Sequence, residues 1–373
     1  MVGKNINLVF RQEYFGGLLY DLKNWQLRYL DKNQANDFLD NPPGDMIIHK
    51  TPIQDYLSAP LKVFFGIYSG CNLHCRHCMI GNIKKPQKEL NRETIEKGLR
   101  DLSAMGVLEV RFSGGEVAQR PDFFEIAEVA KNSNLSVSIN SNGCWSEAIE
   151  SKYAKSGIDR VHFSLDGMEK NHDYIRGRGV FNQCLKTIEY LRSYDKYVRI
   201  VVCLRRDNLI DIDNLISLAE KYKCDIKFSP VANKGSAESL SGLLSVQESI
   251  KIKEYFDTVK SKVRVFFNYG TIIPEFSEYC DLADFDSSVC GSGRTQLRIE
   301  TDGVVYLGGC GNVSQEQSII GKVDDPLLEL WKISQEKIIE SRRLKGDKCL
   351  ACSLEKIFKK WLSQPSPSFN YKN

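Results

Sequence analysis

The feature that most constrains the fold is an alternation of strand-like and helix-like segments that begins near residue 63. Runs rich in Val, Ile or Phe predict strands at 63–69, 108–113, 135–141, 160–165, 198–204 and 225–229. Segments with a helical period lie between them, at 92–105, 122–133, 146–156, 181–194 and 211–222. This order predicts right-handed βαβ units and a parallel sheet in an α/β fold, and six strands suggest a partial (β/α)6 barrel. In parallel barrels the chemistry collects at the carboxyl ends of the strands.

Three cysteines directly follow the first predicted strand. Cys71, Cys75 and Cys78 form a C-x3-C-x2-C run on one short loop. Three thiolates cannot complete the four-sulfur shell of a structural zinc or of an electron-transfer cluster. They can hold a [4Fe–4S] cluster by three irons and leave the fourth iron open to substrate or cofactor. The alternatives are a zinc site, for which His74 and His77 are the other soft ligands nearby, and three unrelated core cysteines.

The cysteine run resembles the signature of the radical S-adenosylmethionine (radical SAM) superfamily, whose fold is a partial (β/α)6 barrel. His77 is a departure, because many members carry Phe or Tyr before the third cysteine. The resemblance implies that Cys71, Cys75 and Cys78 are catalytic and hold the cluster. It also implies that S-adenosylmethionine (SAM) chelates the open iron and is cleaved reductively to a 5′-deoxyadenosyl radical. A reducing partner such as flavodoxin or ferredoxin is then expected.

Polar residues at the ends of the next three strands are candidates for SAM contacts. The segment 113–116, Ser-Gly-Gly-Glu, follows the second strand, and its two glycines let the backbone approach a ligand closely. It resembles the family's motif for the SAM amino group. The segments 140–143, Asn-Ser-Asn-Gly, and 164–167, Ser-Leu-Asp-Gly, follow the third and fourth strands. The resemblance assigns these cofactor-binding residues: Gly114, Gly115, Glu116, Ser141, Asn142, Ser164 and Arg176.

Two roles within that set are more specific. By the resemblance, Ser141 and Ser164 are candidates for the SAM ribose and carboxylate, and Arg176 for a bidentate contact to the carboxylate. The alternative for each residue is an ordinary turn or cap, and Asp166 could equally cap a turn.

A second group of cysteines lies in the C-terminal third. Two strand-like runs flank Asp302-Gly303, which predicts a hairpin, and a helix is expected over 325–345. The hairpin lies between the first two of four cysteines that together make a full thiolate shell: Cys290, Cys310, Cys349 and Cys352. This arrangement resembles the twitch domain, the short form of the SPASM domain, and implies one auxiliary [4Fe–4S] cluster. Cys280 could replace Cys310, and a structural zinc is the alternative metal.

The first sixty residues resemble the start of a peptide-recognition element. Apolar segments at 9–21 and 26–30 predict a small β-hairpin, followed by a short helix near 33–39. In such elements an exposed strand edge captures a leader peptide by β-augmentation. The helical part of a full winged-helix element is barely present, so the element is expected to be truncated. The alternative is a hairpin that only caps the open edge of the barrel.

These observations predict four regions. They are an N-terminal hairpin element over 1–58, the barrel over 59–270, the auxiliary-cluster domain over 271–355 and a tail over 356–373.

Charge and cysteine usage limit the partners and the location. The net charge is only +3, from 51 basic and 48 acidic residues, which gives no case for nucleic-acid or membrane affinity. No apolar run has the length of a membrane span, and the N-terminus has no signal-peptide core. Twelve cysteines without a secretion signal indicate reduced thiols, so we expect a cytoplasmic location.

The expected function is radical maturation of a ribosomally made peptide (RiPP maturation), in which hydrogen abstraction leads to a crosslink, an oxidation or an epimerisation. The alternative is a dehydrogenase or epimerase of a sugar-like or cyclitol-like small molecule in natural-product biosynthesis. A non-catalytic iron–sulfur or zinc scaffold is a third possibility.

Cys144 and Cys280 are candidate hydrogen-atom donors. Candidate acid/base residues are Asp281, Asp284, Asp286, Glu300 and Tyr306.

Overall fold

The computed structural model describes residues 8–50, 56–79, 89–231, 235–267, 295–306 and 319–345. Several predicted features lie outside the described residues. They are the four auxiliary ligands, the substitute Cys280, the tail, and the candidate bases Asp281, Asp284 and Asp286. Within the described part, each helix is too short or too polar to cross a membrane.

The N-terminal region forms a four-stranded sheet with one helix. Its elements are β1 (Leu8–Glu13), β2 (Gly16–Asp21), β3 (Gln26–Asp31), α1 (Lys32–Asp40) and β4 (Met46–His49). The first three strands are antiparallel, β4 pairs parallel with β1, and the order is β3-β2-β1-β4. The prediction of a single two-stranded hairpin is wrong. The run 9–21 turns back on itself at Tyr14-Phe15, so it supplies two strands, and Gly16 follows the turn with φ +142°.

The central region alternates strands and helices as predicted. In chain order it contains β5 (Lys62–Tyr68), α2 (Arg92–Ala104), β6 (Glu109–Gly114), α3 (Phe123–Asn132), β7 (Ser136–Ser141), α4 (Glu147–Lys155), β8 (Arg160–Ser164), α5 (Glu169–Arg176), α6 (Val180–Ser193), β9 (Tyr197–Leu204), α7 (Ile212–Tyr222) and β10 (Asp225–Pro230). The six strands pair in parallel and in sequence order, which confirms the predicted sheet.

Further strands extend this sheet at both ends. Helix α8 (Val246–Thr258) precedes β11 (Val265–Phe267), which pairs parallel with β10. On the other side β12 (Gln296–Ile299) pairs parallel with β5 and antiparallel with β13 (Val304–Tyr306), around the predicted turn at Asp302-Gly303. Strand β14 (Ile319–Lys322) and helix α9 (Leu327–Lys345) complete the described elements, and the sheet order is β11-β10-β9-β8-β7-β6-β5-β12-β13-β14.

The two faces of the sheet differ in polarity. Apolar positions such as Val110, Phe112 and Phe163 are fully buried. The alternate positions are polar, and the parallel register aligns Arg111, Ser138, Arg160 and Tyr197 across four strands. Glu109 lies at the lower end of this polar face, 3.0 Å from Arg111 and 2.7 Å from Arg160. A parallel strand buried among helices on both faces is apolar throughout, so this alternation indicates a polar barrel interior.

The N-terminal sheet is attached at the amino ends of the barrel strands. The fully buried Arg11 donates from Nη1 to the carbonyls of Pro60 (3.1 Å) and Gly106 (2.7 Å), which precede β5 and β6. Trp25, in the turn between β2 and β3, contacts the Tyr197 ring at 5.1 Å and lies under the Arg160 guanidinium at 5.3 Å. The sheet therefore closes the end of the barrel opposite the cysteine loop.

Candidate metal and cofactor site

The three-cysteine loop lies at the carboxyl end of β5, where the parallel-barrel rule places reactive residues. Cys71 is exposed, and Cys75 and Cys78 are half-buried. The Cys78 amide donates to the Cys75 carbonyl (3.3 Å), and the Arg76 amide donates to the Ile175 carbonyl (2.9 Å). The loop is thus attached to the end of α5 by its own backbone.

Gly114 and Gly115 allow β6 to approach this loop. Gly114 has φ +135°, and a Cβ there would lie 2.1 Å from the Tyr68 carbonyl oxygen. A Cβ on Gly115 would lie 2.0 Å from the Gly70 carbonyl oxygen. The Gly115 amide donates to Tyr68 (2.7 Å) and the Glu116 amide to Gly70 (2.8 Å). The close approach that the glycines permit is to the loop itself, and their contact with SAM stays a prediction.

Glu116 joins the ends of β6 and β7. Its carboxylate is fully buried and accepts from the Ser141 hydroxyl (2.9 and 3.0 Å), the Asn142 amide (2.8 Å) and Trp145 Nε1 (3.1 Å). Burial raises the pKa of Glu116, and these hydrogen bonds oppose the shift. The Ser141 hydroxyl therefore points to Glu116 in this structure, and its predicted contact with SAM is untested. The sequence did not indicate Trp145.

Asn142 reaches the cysteine loop. Its Nδ2 lies 3.8 Å from Cys71 Sγ and donates to Asn72 Oδ1 (2.8 Å). The Leu73 amide lies 3.5 Å from the same sulfur. Burial raises the pKa of the Cys71 thiol, while these two donors lower it. N–H groups directed at a sulfur stabilise its thiolate, which is the form that binds a metal.

Arg176 forms a buried network with Asp166 and His77. Its Nε donates to Asp166 Oδ2 (2.6 Å), its Nη1 lies 3.8 Å from Cys75 Sγ, and its Nη2 lies 3.4 Å from His77 Nε2. His77 Nε2 is also 3.2 Å from Asp166 Oδ2. Arg176 therefore already has a carboxylate partner, and its predicted contact with the SAM carboxylate remains a prediction.

The network is strongly charged although it is buried. Burial raises the pKa of Asp166, but Arg176 and His77 outweigh it and hold that pKa well below the usual value. Burial lowers the pKa of Arg176, but Asp166 and Cys75 outweigh it and raise that pKa. Burial raises the pKa of the Cys75 thiol, and the Arg176 guanidinium opposes that shift.

Residues that the sequence did not indicate support Asp166. The Cys203 amide donates to Asp166 Oδ1 (2.7 Å), and Asn208 Nδ2 donates to the Asp166 carbonyl (2.8 Å). The Asp166 amide donates to His172 Nδ1 (2.9 Å). Burial lowers the pKa of His172 to about 4, so the ring is neutral at pH 7 and can accept this bond. The signal in the sequence was the position of Asp166 at a strand end.

The remaining described candidates lie around this centre. Ser164 is half-buried at the end of β8, and its hydroxyl has no hydrogen-bond partner among the described residues, so this hydroxyl can contact a cofactor. Burial raises the pKa of Cys144 to about 11, which keeps the hydrogen on its thiol at neutral pH. Glu300 follows β12, and burial raises its pKa against the effect of Arg298. Tyr306 ends β13.

The donor set fits a three-cysteine cluster. Cys71, Cys75 and Cys78 lie on one short loop, an N–H of Asn142 is directed at the Cys71 sulfur, and the Arg176 guanidinium is directed at the Cys75 sulfur. A second group of possible metal ligands comprises His77, Asp166 and Cys203, whose donor atoms lie within 4.8 Å of one another. The Arg176 guanidinium contacts two of these residues and disfavours a cation there.

Comparison with known proteins identifies the family. The model of the Radical SAM superfamily matches residues 66–219. The mycofactocin maturase MftC of Mycobacterium tuberculosis is 25% identical over 285 residues, which cover 74% of this chain and 72% of MftC. A GTP 3′,8-cyclase of Clostridium botulinum is 28% identical over 286 residues, or 71% of this chain and 85% of the cyclase.

A similar solved structure is that of Streptococcus suis SuiB bound to S-adenosylmethionine. It has a TM-score of 0.72 at 19% identity and covers 94% of this chain and 93% of SuiB. A structure of SuiB bound to the precursor peptide SuiA has a TM-score of 0.69 at 17% identity and covers 87% of each chain. These likenesses confirm the predicted fold.

The predictions of an enzyme, of SAM and of a SAM-binding [4Fe–4S] cluster are confirmed by the same family match. The matched residues contain the cysteine loop, Glu116, Asn142, Asp166 and Arg176. The central region of the chain, residues 66–219, therefore matches the radical SAM superfamily.

Proposed function

We propose that this enzyme modifies a ribosomally made peptide whose leader segment docks on the N-terminal sheet. The observation that carries the proposal is the outer edge of β3, which pairs only with β2 among the described residues. An unpaired strand edge presents backbone donors and acceptors to an extended peptide. The mycofactocin maturase MftC and the peptide-bound structure of SuiB support a peptide as the substrate class.

Of the two outer edges of this sheet, β3 is the better docking site. Strand β3 has six residues and β4 has four, so β3 can form more backbone hydrogen bonds with a peptide. Gln26 is exposed, and Leu27, Arg28 and Tyr29 are half-buried, so part of each of these side chains is accessible to a peptide at the edge.

The residues of the cysteine loop and its neighbours hold and orient the reacting groups. Cys71, Cys75 and Cys78 would hold the cluster, which together with SAM supplies the 5′-deoxyadenosyl radical that abstracts hydrogen from the peptide. Asn142 and Arg176 position the loop by their contacts with the Cys71 and Cys75 sulfurs.

The rest of the SAM site and the C-terminal cluster complete the proposal. We propose that SAM contacts the Gly114-Gly115 backbone and the hydroxyl of Ser164, which has no hydrogen-bond partner in the described part of the chain. A twitch domain over 271–355 would hold one auxiliary [4Fe–4S] cluster through Cys290, Cys310, Cys349 and Cys352. The hairpin of β12 and β13 around Asp302-Gly303 supports that assignment. The enzyme would be cytoplasmic, where a reducing partner can reach it.

A small-molecule substrate is the second candidate. The similarity to a GTP 3′,8-cyclase over 85% of that enzyme favours it, as does the polar barrel interior with Arg111, Arg160 and Arg199. A small polyol or nucleotide requires a closed polar pocket, whereas a peptide requires an open groove and a docking edge.

Anaerobic purification of the enzyme from its native cells, with mass spectrometry of what remains bound, separates the two candidates. We expect a short ribosomal peptide. A bound sugar or nucleotide, with no peptide, would contradict peptide modification.

Two neighbouring proline variants, Arg28→Pro and Tyr29→Pro, locate the docking edge. Successive amides of a strand point to opposite sides, so one variant removes an outward donor and the other removes a donor to β2. The outward variant should lose the bound peptide and keep its iron content and its SAM cleavage. Equal retention of peptide by both variants would exclude the β3 edge.

A further inference from the structure

The outer face of the cysteine loop carries a patch of exposed cationic and apolar side chains. From the loop, Arg76 and Met79 are exposed, Met79 by 51%. Tyr174, on α5, is 55% exposed, although large aromatic side chains are usually buried. We define the loop-face patch as His74, Arg76, Met79, Lys170, Tyr174 and Arg178, all of which are exposed.

The patch is held in place by contacts within the fold. The Arg76 guanidinium lies over the Tyr174 ring at 4.5 Å, and the Arg76 amide donates to the Ile175 carbonyl. The Ser236 amide donates to the Cys78 carbonyl (3.1 Å) and fixes the other end of the loop. Arg and Tyr are enriched among the residues that dominate binding energy at interfaces, and a pre-ordered pair loses little entropy on binding.

The charge of the patch is positive. Lys170 and Tyr174 are four residues apart and therefore share one face of α5, and Arg178 lies two residues beyond the end of that helix at Arg176. The carboxylates of α5 are engaged elsewhere, because Asp173 accepts from the amides of Gly179 and Phe181, and Glu169 accepts from Asn182. The neighbouring 3-10 helix Gly235–Ser239 adds one exposed carboxylate, Glu238.

We propose that the loop-face patch is the docking surface for an acidic one-electron carrier protein. Arg76 is the residue after Cys75 and the second before Cys78, so a protein seated on the patch lies close to the irons that these thiolates hold. Electron transfer slows steeply with distance, which favours docking here. Such a carrier, itself oxidised by one electron, would supply the electron that a cluster held by these cysteines needs for the reductive cleavage of SAM. The inference rests on the radical SAM reaction and is independent of the peptide.

Charge reversal at Lys170 and Arg178 tests the proposal without altering the cysteine loop. The probe is a flavodoxin of low isoelectric point, reduced and mixed by stopped flow with the cluster-loaded enzyme, and the readouts are flavodoxin affinity and the rate of cluster reduction. Combining Lys170→Glu with Arg178→Glu should lower both by roughly tenfold at low salt. Raising the ionic strength should shrink this difference, because the Debye length shortens.

Two controls make the result specific. The variant Lys97→Glu with Arg100→Glu changes the charge equally on α2, at side chains that are 54% and 56% exposed, and should leave flavodoxin reduction unchanged. Dithionite, a small reductant, should reduce the cluster at the same rate in all variants.

Three outcomes would overturn the proposal: an unchanged flavodoxin rate in the patch variant, an equal loss in the α2 variant, or a wild-type rate that is independent of salt. Loss of bound peptide with unchanged flavodoxin reduction would instead assign the patch to the substrate.

Discussion

The Asp166 carboxylate divides its two oxygens between two parts of the site. Oδ2 accepts from Arg176 and lies beside His77, whereas Oδ1 accepts from the Cys203 amide. One buried carboxylate thus connects the cysteine loop, the end of α5 and the end of β9. His77 attaches the loop to this network through Nε2, which lies 3.2 Å from Asp166 Oδ2 and 3.4 Å from Arg176 Nη2.

Replacing Asp166 by Asn should destabilise the protein strongly. The variant leaves Arg176, whose side chain is only 9% exposed, without a balancing charge, and breaking a buried ion pair costs about 3–5 kcal/mol. Denaturant unfolding measures the change. The control Asp101→Asn breaks an exposed pair with Lys97 and should cost less than about 1 kcal/mol. If both variants lost the same free energy of unfolding, the buried network would contribute no more stability than an exposed ion pair.

Replacing Cys71, Cys75 and Cys78 together by Ala should abolish both SAM cleavage and the visible absorbance of the cluster, because the thiolates are the iron ligands. Release of 5′-deoxyadenosine, measured by chromatography, checks the first effect. Cys224→Ala is the matched control, because Cys224 is fully buried in the apolar core and should not affect cleavage. Persistent cleavage in the triple variant would remove these cysteines from the reaction.

At the scale of elements, the strand ends around the cysteine loop are packed backbone to backbone. The β5 and β6 ends meet where Gly114 and Gly115 contact the Tyr68 and Gly70 carbonyls. The loop conformation therefore depends on the absence of two Cβ atoms.

Gly115→Ala should displace the loop and lower the iron content. The new Cβ would lie 2.0 Å from a backbone oxygen that cannot rotate away, and overpacking of this kind costs about 1–3 kcal/mol. Iron analysis and thermal unfolding check both effects. Gly157→Ala, whose Cβ would meet its nearest atom at 3.6 Å, should leave the iron content unchanged and cost little. Full iron loading in Gly115→Ala would contradict this account.

The elements with a long and regular period were predictable from the sequence. The six central strands and five helices begin and end within one residue of the predicted limits, because alternating apolar runs and helical periods are strong there. Strand β11 has three residues, too few to show a period, and the pairing of β12 with β5 joins positions over two hundred residues apart. Short or distant pairings are fixed by packing and not by local pattern.

The candidate site was predictable as a set of positions but not as a set of contacts. The sequence placed Glu116, Ser141 and Asp166 at strand ends and Arg176 shortly after the fourth strand. It could not show that Glu116 binds Ser141 or that Arg176 binds Asp166, because these contacts form only when separate segments of the chain pack together.

At the scale of the whole molecule, the N-terminal sheet and the cysteine loop lie at opposite ends of the barrel. The N-terminal sheet binds the amino ends of the strands through Arg11 and Trp25, and the cysteine loop lies at the carboxyl ends. The proposed auxiliary-cluster domain follows β11 and includes the hairpin of β12 and β13, so it is joined to the barrel next to β5.

Replacing Cys349 and Cys352 by Ala should remove about four irons per chain and leave SAM cleavage measurable, because the first cluster has its own three ligands. Iron and sulfide analysis with a cleavage assay tests this. An unchanged iron count would eliminate the proposed auxiliary cluster, and zinc in place of the lost iron would assign a structural metal.

The attachment of the N-terminal sheet at one end of the barrel sets a minimum reach for a peptide held on β3. The barrel strands have five to eight residues, which corresponds to a length of roughly 17–26 Å at about 3.3 Å per residue. An extended peptide needs about five to eight residues to cover that distance. The position of the sheet would then set a minimum number of residues between the leader and the modified residue. Substrates would be selected by this spacing as well as by their side chains.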